Sequence, residues 1–172
     1  MAIRSFDNDI LYIHKAGLKL LHDMKIKDYN WWRLINPTIR PDISGQDFSG
    51  KDLSGVYLNG ASCIDTDLSG CNLREANLVQ ADLSMANLER ANLSGALLMF
   101  SEMKGCNLSN ANLTKANFTY ANLQDSNITN CKMEETNFVG ANLRNVKLPD
   151  VDTSKVYLNC AKLKETDDGY FI

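Results

Sequence analysis

The chain has 172 residues, of which 44% are hydrophobic and 23% charged, and a formal net charge of −3. That length fits one domain, and the near-neutral balance lacks both the basic excess of a nucleic-acid binder and the strong acidity of a DNA mimic. No stretch approaches the roughly 18 apolar residues of a membrane span, and no charged, apolar and small-residue leader pattern opens the chain, so a cytoplasmic protein away from membranes is expected.

Residues 1–40 read as helical. Over 8–24, Ile10, Ile13, Leu20, Leu21 and Met24, with Leu11 and Leu18 beside them, recur at helical spacing. Asn8 or Asp9 is placed to cap the start. A shorter helix is predicted over 28–35, ending ahead of Pro37. Trp31, Trp32 and Ile35 form its apolar side and are expected to cover the end of whatever follows. The two histidines, His14 and His22, lie eight residues apart with no third ligand near them, and read as ordinary helix residues.

From Pro41 the sequence repeats every five residues for 25 units without an insertion, from PDISG and QDFSG through ANLSG and ANLTK to AKLKE. The third residue is Leu, Ile, Phe or Met in 23 units, with Cys63 and Thr153 as exceptions. The first is Ala in 11 units and otherwise often Cys, Ser, Thr or Val; the second is Asp or Asn in 17. A period of five suits neither a helix nor a flat strand, so the chain must turn a corner every five residues. Gly and Asn recur at the fifth position (Gly45, Gly50, Gly55, Gly60, Gly70, Gly95, Gly105, Asn110), as corners with positive φ favour. The second-position Asn run Asn107, Asn112, Asn117, Asn122 and Asn127 is expected to bond to nearby corner backbone rather than to a ligand. Cys63, Cys71, Cys106, Cys131 and Cys160 are odd in number and hold no CxxC pair, so all five are expected to be reduced small hydrophobes.

The A(D/N)LXX pattern over 41–165 resembles the pentapeptide-repeat family. That resemblance implies an all-β solenoid, a right-handed quadrilateral β-helix with one unit per side and four per coil. Its third residue points to the coil centre, and its first also faces inward. Twenty-five units would give about six coils. The segment YNWWRLINPTIRPDISG resembles the lead-in of many bacterial members, in which a Trp-containing helix runs into the first coil. The expected organisation is an N-terminal α-helical cap over 1–40, the β-helix over 41–165, and a tail over 166–172. Tyr170, Phe171 and Ile172 would fold over the last coil, and, with no substantial cap there, self-association as a homodimer through the C-terminal coil is expected.

Positions 20 apart should form one column. On the side built from units 56–60, 76–80, 96–100, 116–120, 136–140 and 156–160, the outward positions depart from the pattern. The fourth-position column reads Asn59, Val79, Met99, Thr119, Val139, Asn159, the fifth includes Phe100 and Tyr120, and Leu97 replaces Asn or Asp. Val79, Leu97, Met99, Phe100, Tyr120 and Val139 therefore form a candidate apolar partner-binding patch. The competing expectation is that the N-terminal helix lies along this side and covers it.

The expected function is a non-catalytic structural or protein-interaction module with no cofactor and no bound metal. The resemblance also implies an alternative, inhibition or protection of DNA gyrase by DNA mimicry. Family members with that activity tend to have a strongly acidic surface, loops that interrupt the repeat, and a C-terminal dimerisation helix. The unbroken repeat and slight acidity depart from that pattern. With no His in the repeat and no cluster of ionisable residues in a cleft, an enzyme is not expected.

Overall fold

A computed structural model describes residues 6–146 and 153–163, with side chains described over 11–146 and 154–163. Two helices come first, α1 (Phe6–His22) and α2 (Ile26–Ile35). α1 begins ahead of both Asn8 and Asp9, so neither stands at its start as the sequence reading had it. Two residues past its end, Met24 has a left-handed φ of 56°. The Met24 N–H donates to the Leu21 carbonyl at 3.0 Å and the Lys25 N–H to the Leu20 carbonyl at 2.9 Å, closing the last turn in a Schellman arrangement. The helices meet where Gly17 lies flat against the Trp32 indole; a Cβ there would sit 2.5 Å from the ring.

Only one member of the expected apolar side of α2 is buried. Trp32 is covered, together with Tyr29 and Arg33, whereas Trp31 is 64% and Ile35 59% exposed. Residues 29, 32 and 33 share one stripe of the helix, while 31, 34 and 35 share the opposite one, so Trp31 and Ile35 point to solvent with Leu34.

The repeat forms a four-sided solenoid. Parallel bridges join second-position residues to those 20 positions on, from Asp42↔Ser62 to Asn142↔Lys162, so each coil takes four units. Among the described residues, regular pairing lasts more than one residue only where β1 (Thr136–Asn137) pairs with β2 (Val156–Tyr157), preceded by a 3-10 turn at Thr153–Lys155. Register still holds across that turn, since Thr136 faces Val156 and Asn142 faces Lys162.

Within each unit nearly every backbone group has a partner. The third-position N–H bonds the next coil, as from Leu78 to the Leu97 carbonyl at 2.8 Å. The fifth does likewise, as from Gln80 to the Met99 carbonyl at 3.0 Å. The first closes the corner, as from Ala81 to the Leu78 carbonyl at 3.1 Å. The fourth N–H is met by the second-position side chain, as when Ser109 N–H donates to Asn107 Oδ1 at 3.2 Å. This is the physical reason for Asn and Asp at position two. Every fifth residue from Gly45 to Asn145 has positive φ, including Arg90, Phe100, Lys115 and Tyr120, so the corner geometry is imposed by the coil and does not depend on Gly or Asn.

Third- and first-position side chains fill the interior, with Phe118 stacked on Phe138 at 5.0 Å. Several of the first-position Ser, Thr and Cys residues donate back to the preceding coil. Thr66 Oγ1 bonds the Ile43 carbonyl at 2.9 Å, Cys71 Sγ that of Phe48 at 2.9 Å and Thr136 Oγ1 that of Leu113 at 2.8 Å. Small size explains Ala, and small size with one donor explains Ser, Thr and Cys.

The helices pack against the first coil. His22 stacks on Phe48 at 5.1 Å, and His14 Nε2 accepts the Asp42 N–H at 3.2 Å, so both histidines tie α1 to the repeat. Asn30 of α2 donates to the Gly55 carbonyl at 2.8 Å and accepts the Tyr57 N–H at 2.9 Å. Arg33 donates to the carbonyls of Ile39 and Asn59. The expectations for the last residues, Tyr170, Phe171 and Ile172, lie outside the described residues.

Candidate protein-contact face

The column of units 56–60 to 156–160 emerges as one open side of the solenoid. Phe100 is 54% and Tyr120 58% exposed, and Leu97 is exposed beside them. Val79, Met99 and Val139 are half-buried on the same side. Among the described residues, the helices bond to this side at its upper edge, at Tyr57 and Asn59, while Leu97, Phe100 and Tyr120 stay exposed. The Phe100 and Tyr120 rings stack at 5.4 Å with their planes 18° apart. Tyr120 in turn lies over Gly140, where a Cβ would come within 2.4 Å of the ring. The corner column is therefore a continuous aromatic strip over three coils.

Two further exposed aromatics belong to this side, Tyr57 at the top and Tyr157 at the bottom. Both sit at the second position, and the 20-residue column is the sequence signal that places them. At Tyr57, Leu97 and Tyr157 the unit forgoes the Asn or Asp that would bond the N–H two residues on. The whole side is also free of charge. None of the 30 residues in these six units is Asp, Glu, Lys, Arg or His, while the 15 acidic and 11 basic residues of 41–165 all lie on the other three sides.

Four buried thiols, and three carboxyls of the first coil, are engaged structurally. Burial pushes the thiols of Cys71 and Cys131 up to about 11 and that of Cys106 up to about 12, and raises Cys63 further. Each is far from the thiolate form a nucleophile needs. Cys160 differs from the expectation for it: it occupies a fifth, outward position and is exposed. Hydrogen bonds from the backbone N–H of Ser44 and Ser49 hold the Asp42 and Asp47 carboxyls below their ordinary value, and those from Ser54, its hydroxyl first, do so for Asp52. In a groove of about 340 Å³ on another side, lined by Thr114, Cys131, Lys132 and Glu134 among others, the thiol already bonds the Leu108 carbonyl at 3.0 Å. Among the described residues, no three His, Cys, Asp or Glu side chains are grouped to hold a metal ion, and no helix is long and apolar enough to cross a membrane.

Comparison with known proteins agrees with the repeat. Models of "Pentapeptide repeats (8 copies)" match residues 42–74 and 71–105, and a "Pentapeptide repeat region" model matches residues 101–167. Among solved structures, a pentapeptide repeat protein of the Arabidopsis thaliana thylakoid lumen, AT2G44920, is 32% identical over 73% of this chain and 84% of its own, with a TM-score of 0.33. HetL, a pentapeptide repeat protein involved in heterocyst differentiation regulation in Nostoc, is 20% identical over 78% and 82%, with a TM-score of 0.38. QnrB1, a plasmid-mediated fluoroquinolone resistance protein, is 22% identical over 73% and 84%, with a TM-score of 0.33. No curated protein matches the chain. The repeat, its 20-residue coil and the family models agree: the chain belongs to the pentapeptide-repeat family.

Proposed function

We propose that this chain is a non-catalytic protein-interaction module of the cytoplasm. In this reading it is a right-handed rod of about six coils, capped by α1 and α2, that binds protein through its uncharged side. The observation that carries the reading is the clustering of Val79, Leu97, Met99, Phe100, Tyr120 and Val139, joined by Tyr57 and Tyr157, on the one side without charge. Single exposed apolar residues are ordinary, but a contiguous set marks an interface. Five free cysteines suit a reducing compartment.

The test is affinity capture from native lysate with wild type, Phe100→Ser/Tyr120→Ser, and a control, Ile64→Ser/Met85→Ser, which removes exposed apolar groups from a different side. The reading expects the first variant to lose its captured protein and the control to keep it. Equal capture by all three would remove it.

Gyrase inhibition by DNA mimicry calls for a continuous acidic surface. Here acids meet bases between coils, with Lys115 3.7 Å from Glu135 and Lys155 3.9 Å from Glu134. Gyrase supercoiling unchanged by the purified protein is the expected result.

A further inference from the structure

We propose that the occupant of the uncharged side is a second copy of this chain, docked antiparallel about a two-fold axis. The inference rests on the reading of that side as a contact surface and adds its partner. A two-fold interface is self-complementary, so each residue must suit the one that the axis places opposite it. When two such rods meet side to side and run in opposite directions, each column faces itself in reverse order.

The second- and fourth-position columns of this side each match their own reversal at four of six places. The fourth-position column is Asn59, Val79, Met99, Thr119, Val139, Asn159. Reversal sets Asn59 against Asn159, Val79 against Val139 and Met99 against Thr119. The second-position column is Tyr57, Asn77, Leu97, Asn117, Asn137, Tyr157, which sets tyrosine against tyrosine at the ends and asparagine against asparagine next to them. In the fifth-position column the stacked pair Phe100 and Tyr120 lies at the centre, so the axis brings two aromatic pairs together.

Charge makes the same operation unfavourable on the neighbouring side. On the side that carries Glu75, Lys115 and Glu135, reversal sets Glu75 against Glu135, both exposed. A chain of net charge −3 can pair through its uncharged side with no like charges opposed. The face spans five coil steps of about 4.8 Å and is one five-residue side wide. That is less than the roughly 800 Å² per partner of a standard interface, so the pairing is weak and depends on concentration.

Sedimentation equilibrium from micromolar to millimolar protein tests this, with melting curves to check that each variant folds. Wild type should move from monomer to dimer mass. Val79→Glu should weaken the dimer at least about tenfold, because it places a carboxylate against an apolar valine. Val79→Glu/Val139→Lys should restore it, because the axis sets the new carboxylate against the partner's new ammonium at two places. A parallel pair would instead oppose like charges and not be restored. A wild type that stays monomeric throughout overturns the proposal, while the reading of this side as a contact surface is judged separately by the capture experiment. A dimer untouched by Val79→Glu and by Phe100→Ser/Tyr120→Ser also overturns it and points to pairing through the C-terminal coil. A dimer weakened by Val79→Glu but not restored by the double variant overturns the antiparallel arrangement.

Discussion

The uncharged side and the three charged sides of the rod share one backbone, one corner geometry and one interior, and differ in what they turn to solvent. On the charged sides, second-position asparagines run in hydrogen-bonded ladders. Asn112 donates to Asn92 at 3.2 Å and Asn92 to Asn72 at 3.3 Å, and a second ladder joins Asn127, Asn107 and Asn87. On the uncharged side Leu97 breaks the column, and Met99 loses the side-chain acceptor that Ser109 and Thr114 have. The side thus gives up local hydrogen bonds in exchange for apolar surface. Within one five-residue unit, positions one and three fill the interior, while two, four and five make up what the rod turns to solvent.

The largest effect separates two neighbours in unit 96–100. Leu98 is fully buried, and Leu98→Ala should cost about 2–5 kcal/mol in denaturant unfolding. Leu97→Ala should stay within about 0.5 kcal/mol and act on association instead. A comparable loss of stability from both would erase the distinction between the two layers.

A smaller effect of opposite sign sharpens the comparison. Leu97→Asn restores the acceptor for the Met99 N–H and a link in the column, so it should stabilise the fold by about 0.5–1.5 kcal/mol. The same change should weaken association through this side. Unchanged or lower stability in thermal melts would mean that the broken column costs nothing.

The smallest effect concerns acid. Asp42, Asp47 and Asp52 all lie in the first coil, with carboxyl pKa values held below the ordinary 3.8 by hydrogen bonds. A lowered folded value means that their contribution is present above that ordinary value and is lost as pH falls through the folded one. Once the intrinsic pH dependence of exchange is divided out, amide protection at Ser44, Ser49 and Ser54 should therefore fall on acidification below about pH 4. Ser109 and Thr114, held by neutral asparagines, should show no such change.

Much of the fold was legible because a period of five repeated 25 times leaves one way to bury Leu and Ala together. The patch was legible for a related reason: a coil of 20 residues converts spacing into adjacency. Tyr57 and Tyr157 escaped that reading because they look like ordinary substitutions until the whole column is set out. Cys160 was grouped with the buried cysteines by residue type, although its place in the unit is outward. The helical end was less legible. Two adjacent tryptophans cannot both face one stripe, and which one is buried depends on Gly17 giving the Trp32 indole room. The roles of His14 and His22 depend on contacts with the first coil that their own spacing does not encode.

The most direct test of the contact face is hydroxyl-radical footprinting of the assembled species, whether a dimer or a complex with captured protein, against the free chain. Phe100, Tyr120, Tyr57 and Tyr157 should be protected on assembly, while Met85 and Trp31, exposed elsewhere, should oxidise as before. Protection of Met85 or Trp31 with Phe100 and Tyr120 left fully reactive would contradict the account.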